Sequence, residues 1–225
     1  AKELASCENL IFIGFQELGG STTQYLRSHI EKHYQFIVQP PGLARYKVGL
    51  ALRKDIPIVE SNFLPYKNSC KGRGLLYVQT PTMLLATTHL ESFMDKTDDG
   101  VKRREEQIVE ATTFCADRLR ENPELQLAVI VGDFNWDGER VRCKPPNQPL
   151  LRLAKGAWRD AGTLRDHTYD CKQNPMLTGS LRLRLDRCIY MTQNSRETKV
   201  RLKKLGMSAI PNLHWNKMNP YNGTT

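Results

Sequence analysis

The sequence predicts a mixed α/β domain, from two observations. Apolar runs rich in β-branched residues recur, and three of them close in polar side chains. Leu10-Ile11-Phe12-Ile13-Gly14-Phe15 runs into Gln16-Glu17, Met83-Leu84-Leu85-Ala86 into Thr87-Thr88-His89, and Leu127-Ala128-Val129-Ile130-Val131 into Gly132-Asp133-Phe134-Asn135. Between the second and third runs, Ile108, Ala111, Cys115 and Leu119 form a stripe at helical spacing. Strand and helix patterns thus alternate, without an internal repeat or a low-complexity linker.

The elements follow in order. After the first strand, residues 21 to 33 read as a helix, with Tyr25, Leu26 and Ile30 on one side and Ser21 as its expected cap. Tyr34 to Val38, Val48 to Leu52, Ile58 to Phe63 and Leu75 to Gln79 read as strands. The strand from Met83 precedes the longest helix, expected from about Asp98 to Asn122, where Asn122-Pro123 ends it. Lys102, Arg103, Glu105, Glu106 and Glu110 fall mostly outside its apolar stripe, on a face expected to be solvated. Gly132 is expected to break the strand from Leu127 and turn the backbone. Lys144 to Pro149 is a proline-rich loop, and Leu181 to Met191 is the last strand. From Asn216 the chain is polar with no core pattern and is expected to fray. The domain is therefore placed at 1–215 and a tail at 216–225.

The length of 225 residues fits one domain with a substantial core. The net charge of +9, from 33 basic and 24 acidic side chains, suits a polyanionic partner but also a merely basic soluble protein. Arg182 and Arg184 alternate with Leu181, Leu183 and Leu185, which predicts a basic face opposite an apolar one on a single strand. Arg45, Lys47, Lys71 and Arg73 add charge next to strands. The six cysteines include no C-x-x-C pair, which argues against zinc and for reduced thiols in a nuclear or cytosolic setting. No signal peptide and no membrane-length apolar run are found, so no membrane partner is expected.

Three buried strands ending in polar side chains suggest one converging site. Oxygen and imidazole groups without paired cysteines suit a hard divalent cation and a phosphate. Glu17 is placed to hold Mg²⁺, and a carboxylate beside a phosphate, such as Asp133 would supply, can orient and partly deprotonate a water. The bland alternatives are a surface acid at a strand end, a turn acid after a core strand and, for His89, a satisfied core imidazole. Trp136 is expected to pack in the core.

Gln16-Glu17, Thr88-His89-Leu90-Glu91-Ser92, Gly132-Asp133-Phe134-Asn135 and Arg184-Leu185-Asp186-Arg187, in this order, resemble the endonuclease/exonuclease/phosphatase superfamily. Gly72-Arg73-Gly74-Leu75-Leu76 and Thr168-Tyr169-Asp170 make the resemblance closest to its tyrosyl-DNA phosphodiesterase branch. It extends from about Leu10 to about Pro211. The fold it implies is a two-sheet β-sandwich flanked by helices, with active-site loops at one end. The activity it implies is Mg²⁺- or Mn²⁺-dependent hydrolysis of 5′-phosphotyrosyl DNA, single-stranded at the end, to leave a 5′-phosphate in the repair of topoisomerase adducts.

In that pattern Glu17 holds the metal, His89 donates a hydrogen bond to a phosphate oxygen, Asp133 orients the water and Asn135 binds phosphate. Asp186 orients a terminal histidine. Arg73, Tyr169 and Arg187 bind substrate, Tyr169 standing where the family more often stacks a Trp on the DNA strand, with a buried-core tyrosine an equal alternative for that position. Glu91 and Ser92 shape the loop after His89. Two family features are not found: a Trp-Asn strand ahead of Gln16-Glu17, and a Ser-Asp-His string near the end. His214, in Asn212-Leu213-His214-Trp215, is the nearest candidate for that histidine, although residues 205–213 also fit a segment that lies before the Ser-Asp-His string. A sandwich lacking its first and last strands is therefore expected, with weak or no turnover by the chain as written. Two further readings stay open: another nuclease or phosphatase of the superfamily, and a catalytically dead nucleic-acid-binding or regulatory homologue.

Overall fold

The computed structural model describes residues 10–42, 44–92, 98–137, 149–163, 167–174, 177 and 179–193. His214, the tail at 216–225 and nearly all of the proline-rich loop lie outside the described residues.

The apolar runs form two main sheets. β1 (Phe12–Leu18), β2 (Tyr34–Val38) and β3 (Lys47–Arg53) make an antiparallel sheet in the order β1-β3-β2. The larger sheet contains β4 (Glu60–Pro65), β5 (Gly74–Gln79), β6 (Met83–His89), β7 (Leu127–Asp133), β8 (Arg159–Asp160) and β11 (Asp186–Thr192). Its order is β4-β5-β6-β7-β11-β8. β6 and β7 run parallel, and the chain between them forms the long helix α2 (Asp98–Glu121). Helix α1 (Gly20–Ile30) follows β1, and a short turn of helix, α3 (Leu150–Leu153), precedes β8. β9 (Tyr169–Asp170) and β10 (Arg182–Leu183) pair as a two-stranded ribbon.

The period of two along each strand sorts the core into layers. Between the sheets, Val48, Leu50 and Leu52 of β3 meet Leu76, Val78, Leu85, Val129 and Tyr190 of the larger sheet. On that sheet's other face, Leu84, Ala86, Ala128 and Ile130 meet the predicted helical stripe of α2. Ile108, Ala111, Cys115 and Leu119 are all at most 2% exposed. Helix α1 covers the outer face of the small sheet through Leu26 and Ile30. The order of layers is helix, sheet, sheet, helix. The central strands are buried on both faces, and their sequences accordingly read as continuous apolar runs. Cys70, Cys115, Cys171 and Cys188 are free thiols. No helix among the described residues is long and apolar enough to cross a membrane.

Three local expectations are corrected. Helix α1 is capped by Gly19, not Ser21, and Tyr25 points outward, 60% exposed, with its ring 4.2 Å from that of His29. Gly132 does not break β7, because the ladder continues through it to Asp133. The third correction concerns residues 181–191, which are two strands, β10 and β11, separated by Arg184 and Leu185. Arg184 is buried, with its guanidinium 2.5 Å from Asp160, and Arg187 reaches the other oxygen of the same carboxylate at 3.0 Å. Arg182 pairs with Asp170 at 3.0 Å. The alternation of Leu and Arg therefore builds ion pairs, buried at Arg184 and at the surface at Arg182, not an open basic face.

Asp160 pairs with two buried guanidinium groups, one at each oxygen, and removing one partner of a buried pair costs about 3–5 kcal/mol. Asp160→Ala is expected to lower the melting temperature by on the order of 10 °C, read by thermal unfolding. A shift of only about 1 °C would contradict this role.

Candidate active site

Register brings the predicted residues together. The parallel β6–β7 ladder sets His89 beside Asp133, and the antiparallel β7–β11 ladder sets Asp186 on the other side of Asp133. Leu85, Val129 and Tyr190 each lie four residues away on the same strands and face the small sheet. By the same alternation, His89, Asp133 and Asp186 face that side too, where the core between the sheets ends. His89 Nε2 lies 3.5 Å from Asp133 Oδ2.

β1 delivers Glu17 to the same place. A Cβ on Gly14 would lie 2.6 Å from Val131 Cγ2 and 2.8 Å from Thr87 Oγ1, so only glycine lets β1 lie this close to β6 and β7. Gln16 Nε2 donates to Thr87 Oγ1 at 2.8 Å. The β1–β3 register then slips between Phe15 and Leu18, setting Gln16 and Glu17 against Val48 alone. This bulge places Glu17 in the left-handed region at φ 57°, and Asn135 adopts φ 47°. They are the two non-glycine positions of positive φ among the described residues, and both had been singled out by the motifs. Backbone strain of this kind gathers at functional sites.

The electrostatics couple these groups. Burial pushes the Asp133 carboxyl up to about 7, with the charges of Asp186 and Glu17 adding to the rise. The Asn135 N–H, 2.8 Å from Asp133 Oδ1, and the Arg73 charge oppose it. Burial also raises Asp186, which stays open towards solvent on one side, and the Thr168 side chain opposes that rise. Thr168 Oγ1 accepts the N–H groups of Leu185 and Asp186 at 3.1 and 3.0 Å, which fixes the start of β11.

His89 is pushed down to about 3, by burial first and then by the Arg73 and Lys71 charges. It is therefore neutral near pH 7, and its contact with Asp133 is not an ion pair. Arg73 Nη1 lies 2.5 Å from His89 Nδ1. A guanidinium only donates, so Nδ1 accepts and the ring proton sits on Nε2, on the side of Asp133. Burial lowers the Arg73 guanidinium from its ordinary value, against the pull of Glu91, Glu17 and Asp133. Its Nε is buried without a partner, a donor that an anionic oxygen would satisfy.

Other predicted residues take different posts. Asn135 is 5% exposed, and its amide donates to the Leu90 carbonyl at 3.0 Å, so it fixes the turn that holds Asp133. Tyr169, half-buried in β9, directly follows Thr168 at the edge of the cluster. Arg187 is a correction. It pairs across the ladder with Gly132, on the face away from His89 and Asp133, and its guanidinium is committed to Asp160 and to the Trp136 carbonyl at 3.2 Å. Trp136 is fully buried in the core. Sequence reasoning missed Ser69, which organises the turn carrying Arg73; the signal was a polar Asn68-Ser69 pair just ahead of Gly72, whose φ is +67°.

Among the described residues, no group of three or more His, Cys, Asp or Glu side chains gathers as a ready metal cage. A hard cation such as Mg²⁺ needs only one or two carboxylates, completing its shell with water and phosphate oxygens. Glu17 and its mutually repelling carboxylate neighbours fit such an ion.

No family model matches the chain, and no curated protein matches its sequence. Solved structures do match. Truncated TDP2 of Caenorhabditis elegans superimposes with a TM-score of 0.66 at 18% identity, covering 82% of this chain and 71% of that one. Against a selenomethionine form of the same nematode protein the chain spans 56% of the length. TDP2 of Danio rerio, solved with a single-strand DNA product, gives 0.69 at 22% identity over 93% of this chain and 83% of that one. The endonuclease/exonuclease/phosphatase from Bacteroides vulgatus gives 0.58 at 16% identity, over 85% and 76%. The chain has the endonuclease/exonuclease/phosphatase fold. Within this fold the cluster of Glu17, His89, Asp133 and Asp186 occupies one end of the paired sheets, where β6 and β7 finish and β11 begins.

Proposed function

We propose that the chain is a metal-dependent phosphodiesterase that hydrolyses 5′-phosphotyrosyl DNA and leaves a 5′-phosphate. One observation carries the proposal: the ladder register that sets a neutral His89 between the Arg73 guanidinium and the Asp133 carboxylate, with Asp186 adjacent. A donor, a cation and an acceptor for a water proton thus share one small cleft. The net charge of +9 and the likeness to a TDP2 solved with single-strand DNA product support DNA as the substrate. The free thiols fit a nuclear or cytosolic setting and a role in repairing topoisomerase adducts.

The residues divide the chemistry. Asp133 orients a water for in-line attack on phosphorus and accepts its proton. His89 Nε2–H and Arg73 donate to the non-bridging oxygens, where negative charge gathers in the transition state. Asp186 keeps Asp133 basic by its negative charge. The bond from phosphorus to the tyrosine oxygen breaks, tyrosine leaves, and the 5′-phosphate stays on the DNA. Glu17 would hold Mg²⁺ or Mn²⁺, which when bound neutralises charge on the phosphoryl oxygens. Tyr169, at the rim, offers a flat face to a DNA base.

The test presents a 5′-phosphotyrosyl single-stranded oligonucleotide and an unmodified one, each with Mg²⁺ at low and physiological salt. The expected result is slow release of tyrosine from the first substrate alone, with binding that weakens steeply as salt rises. Cleavage of the unmodified strand would assign the site to a general nuclease instead. Binding of both strands without hydrolysis would favour a non-catalytic DNA-binding protein.

A further inference from the structure

We propose that Glu91 is a positioning residue that fixes which nitrogen of His89 carries the proton, acting through the turn from Ser69 to Arg73. Glu91 lies two residues past His89 and is 3% exposed. Its Oε1 accepts the Ser69 hydroxyl at 2.7 Å, the Cys70 N–H at 3.1 Å and the Lys71 N–H at 3.3 Å. The Ser69 hydroxyl oxygen in turn accepts the Arg73 N–H at 2.7 Å. Gly72, at φ +67°, completes the turn, and a Cβ there would lie 2.8 Å from the backbone N of Ala44.

The consequence is geometric. One carboxylate oxygen, held on the strand end that carries His89, gathers three donors of the loop that carries Arg73. The loop cannot drift without breaking these bonds, so the guanidinium stays against His89 Nδ1. Among the charges that favour the Arg73 cation, Glu91 is the strongest. The Tyr66 N–H donates to the Arg73 carbonyl at 3.0 Å and Gln39 Nε2 to the Gly72 carbonyl at 2.9 Å, so these bonds hold the end of the turn while Glu91 holds residues 69–71. Without Glu91, residues 69–71 lose their shared acceptor, the guanidinium is held less firmly against Nδ1, and the neutral ring can then place its proton on either nitrogen. The Nε2–H tautomer is the one that can donate towards a phosphate beside Asp133. This last step rests on the phosphodiesterase proposal; the tautomer itself does not.

The test reads the two separately. Imidazole ¹⁵N shifts of His89 in the metal-free protein report the tautomer directly, and tyrosine release reports turnover. The wild-type protein is expected to show a neutral ring protonated at Nε2 alone. Glu91→Ala and the milder Ser69→Ala are expected to give a mixture with the Nδ1–H form. Glu91→Gln keeps an acceptor oxygen and is expected to restore the single tautomer. In the same variants that mix tautomers, kcat should fall by about 10- to 100-fold with KM changed less than about twofold, since the loss is one of orientation. If Glu91→Ala does not fold, Ser69→Ala decides. A single Nε2–H form retained in the folded Ala variants would overturn the proposal. A changed tautomer in a protein that never hydrolyses phosphotyrosyl DNA would uphold the positioning role and defeat the phosphodiesterase assignment.

Discussion

Asp133→Asn is expected to reduce tyrosine release from a 5′-phosphotyrosyl oligonucleotide by about 10³-fold, a loss of about 4 kcal/mol in transition-state stabilisation. The amide fills the same space and can still hydrogen-bond, so folding is expected to survive, but it cannot accept the proton of the attacking water. The pH dependence carries a second signature. Burial and its carboxylate neighbours raise the Asp133 carboxyl, a bound cation lowers it again, and the wild-type rate should rise with pH as this group ionises and then level off. The rising limb should vanish in Asp133→Asn.

Stability of the metal-free protein should move the other way. Asp133 is raised in the folded state from an ordinary 3.8, so its contribution is full below that value and is lost as pH rises through about 7. His89 is lowered from 6.5 to about 3, so its contribution is full above 6.5 and is lost as pH falls towards 3. The two oppose each other between these limits, and Asp133 alone acts from about 6.5 to 8. In that window the wild-type melting temperature should fall with rising pH, and Asp133→Asn should flatten the fall. A rising limb that persists unchanged in Asp133→Asn would remove Asp133 from the role of proton acceptor.

Gly132→Ala is expected to be the most damaging small substitution in the larger sheet. The residue sits at φ +143°, where a side chain is strained, and a Cβ would lie 2.0 Å from the Thr88 carbonyl oxygen. That oxygen belongs to the backbone of the neighbouring strand and cannot swing away. Relief requires β6 and β7 to separate where they carry His89 and Asp133. The expected cost is above about 3 kcal/mol, with loss of activity even in whatever fraction stays folded. Far-ultraviolet circular dichroism and urea unfolding measure the first, and tyrosine release the second. A stable, active Gly132→Ala protein would show that the two strand ends are not held as tightly as the ladder implies.

The sequence made the strands legible because those in the centre of the sheets are buried on both faces and read as unbroken apolar runs. The polar residues that end them were legible as a site because β6 and β7 run parallel in register, so chemistry at one strand end meets chemistry at the next. What stayed hidden depends on partners distant in the chain. Gly132 looked like a strand breaker, since nothing local shows that the Thr88 carbonyl lies against it. The alternating Leu and Arg at 181–185 looked like an open basic face, since Asp160, which buries Arg184 and Arg187, is 24 and 27 residues away. Arg187 looked like a substrate ligand because of its string, whereas the period of two turns it from the cleft. Glu91 was read as shaping its loop, and its three bonds to residues 69–71 give that expectation its physical content.

The central claim is that Glu17, His89 and Asp133, brought in by three different strands, form one metal-assisted site. Paramagnetic Mn²⁺ titrated into the protein, with the His89 imidazole signal followed by NMR, tests it most directly. The His89 signal is expected to broaden early in the titration, and Glu17→Gln to shift this broadening to much higher Mn²⁺ concentration while leaving the fold intact. Mn²⁺ that binds tightly yet leaves His89 sharp, or broadening unchanged by Glu17→Gln, would contradict it.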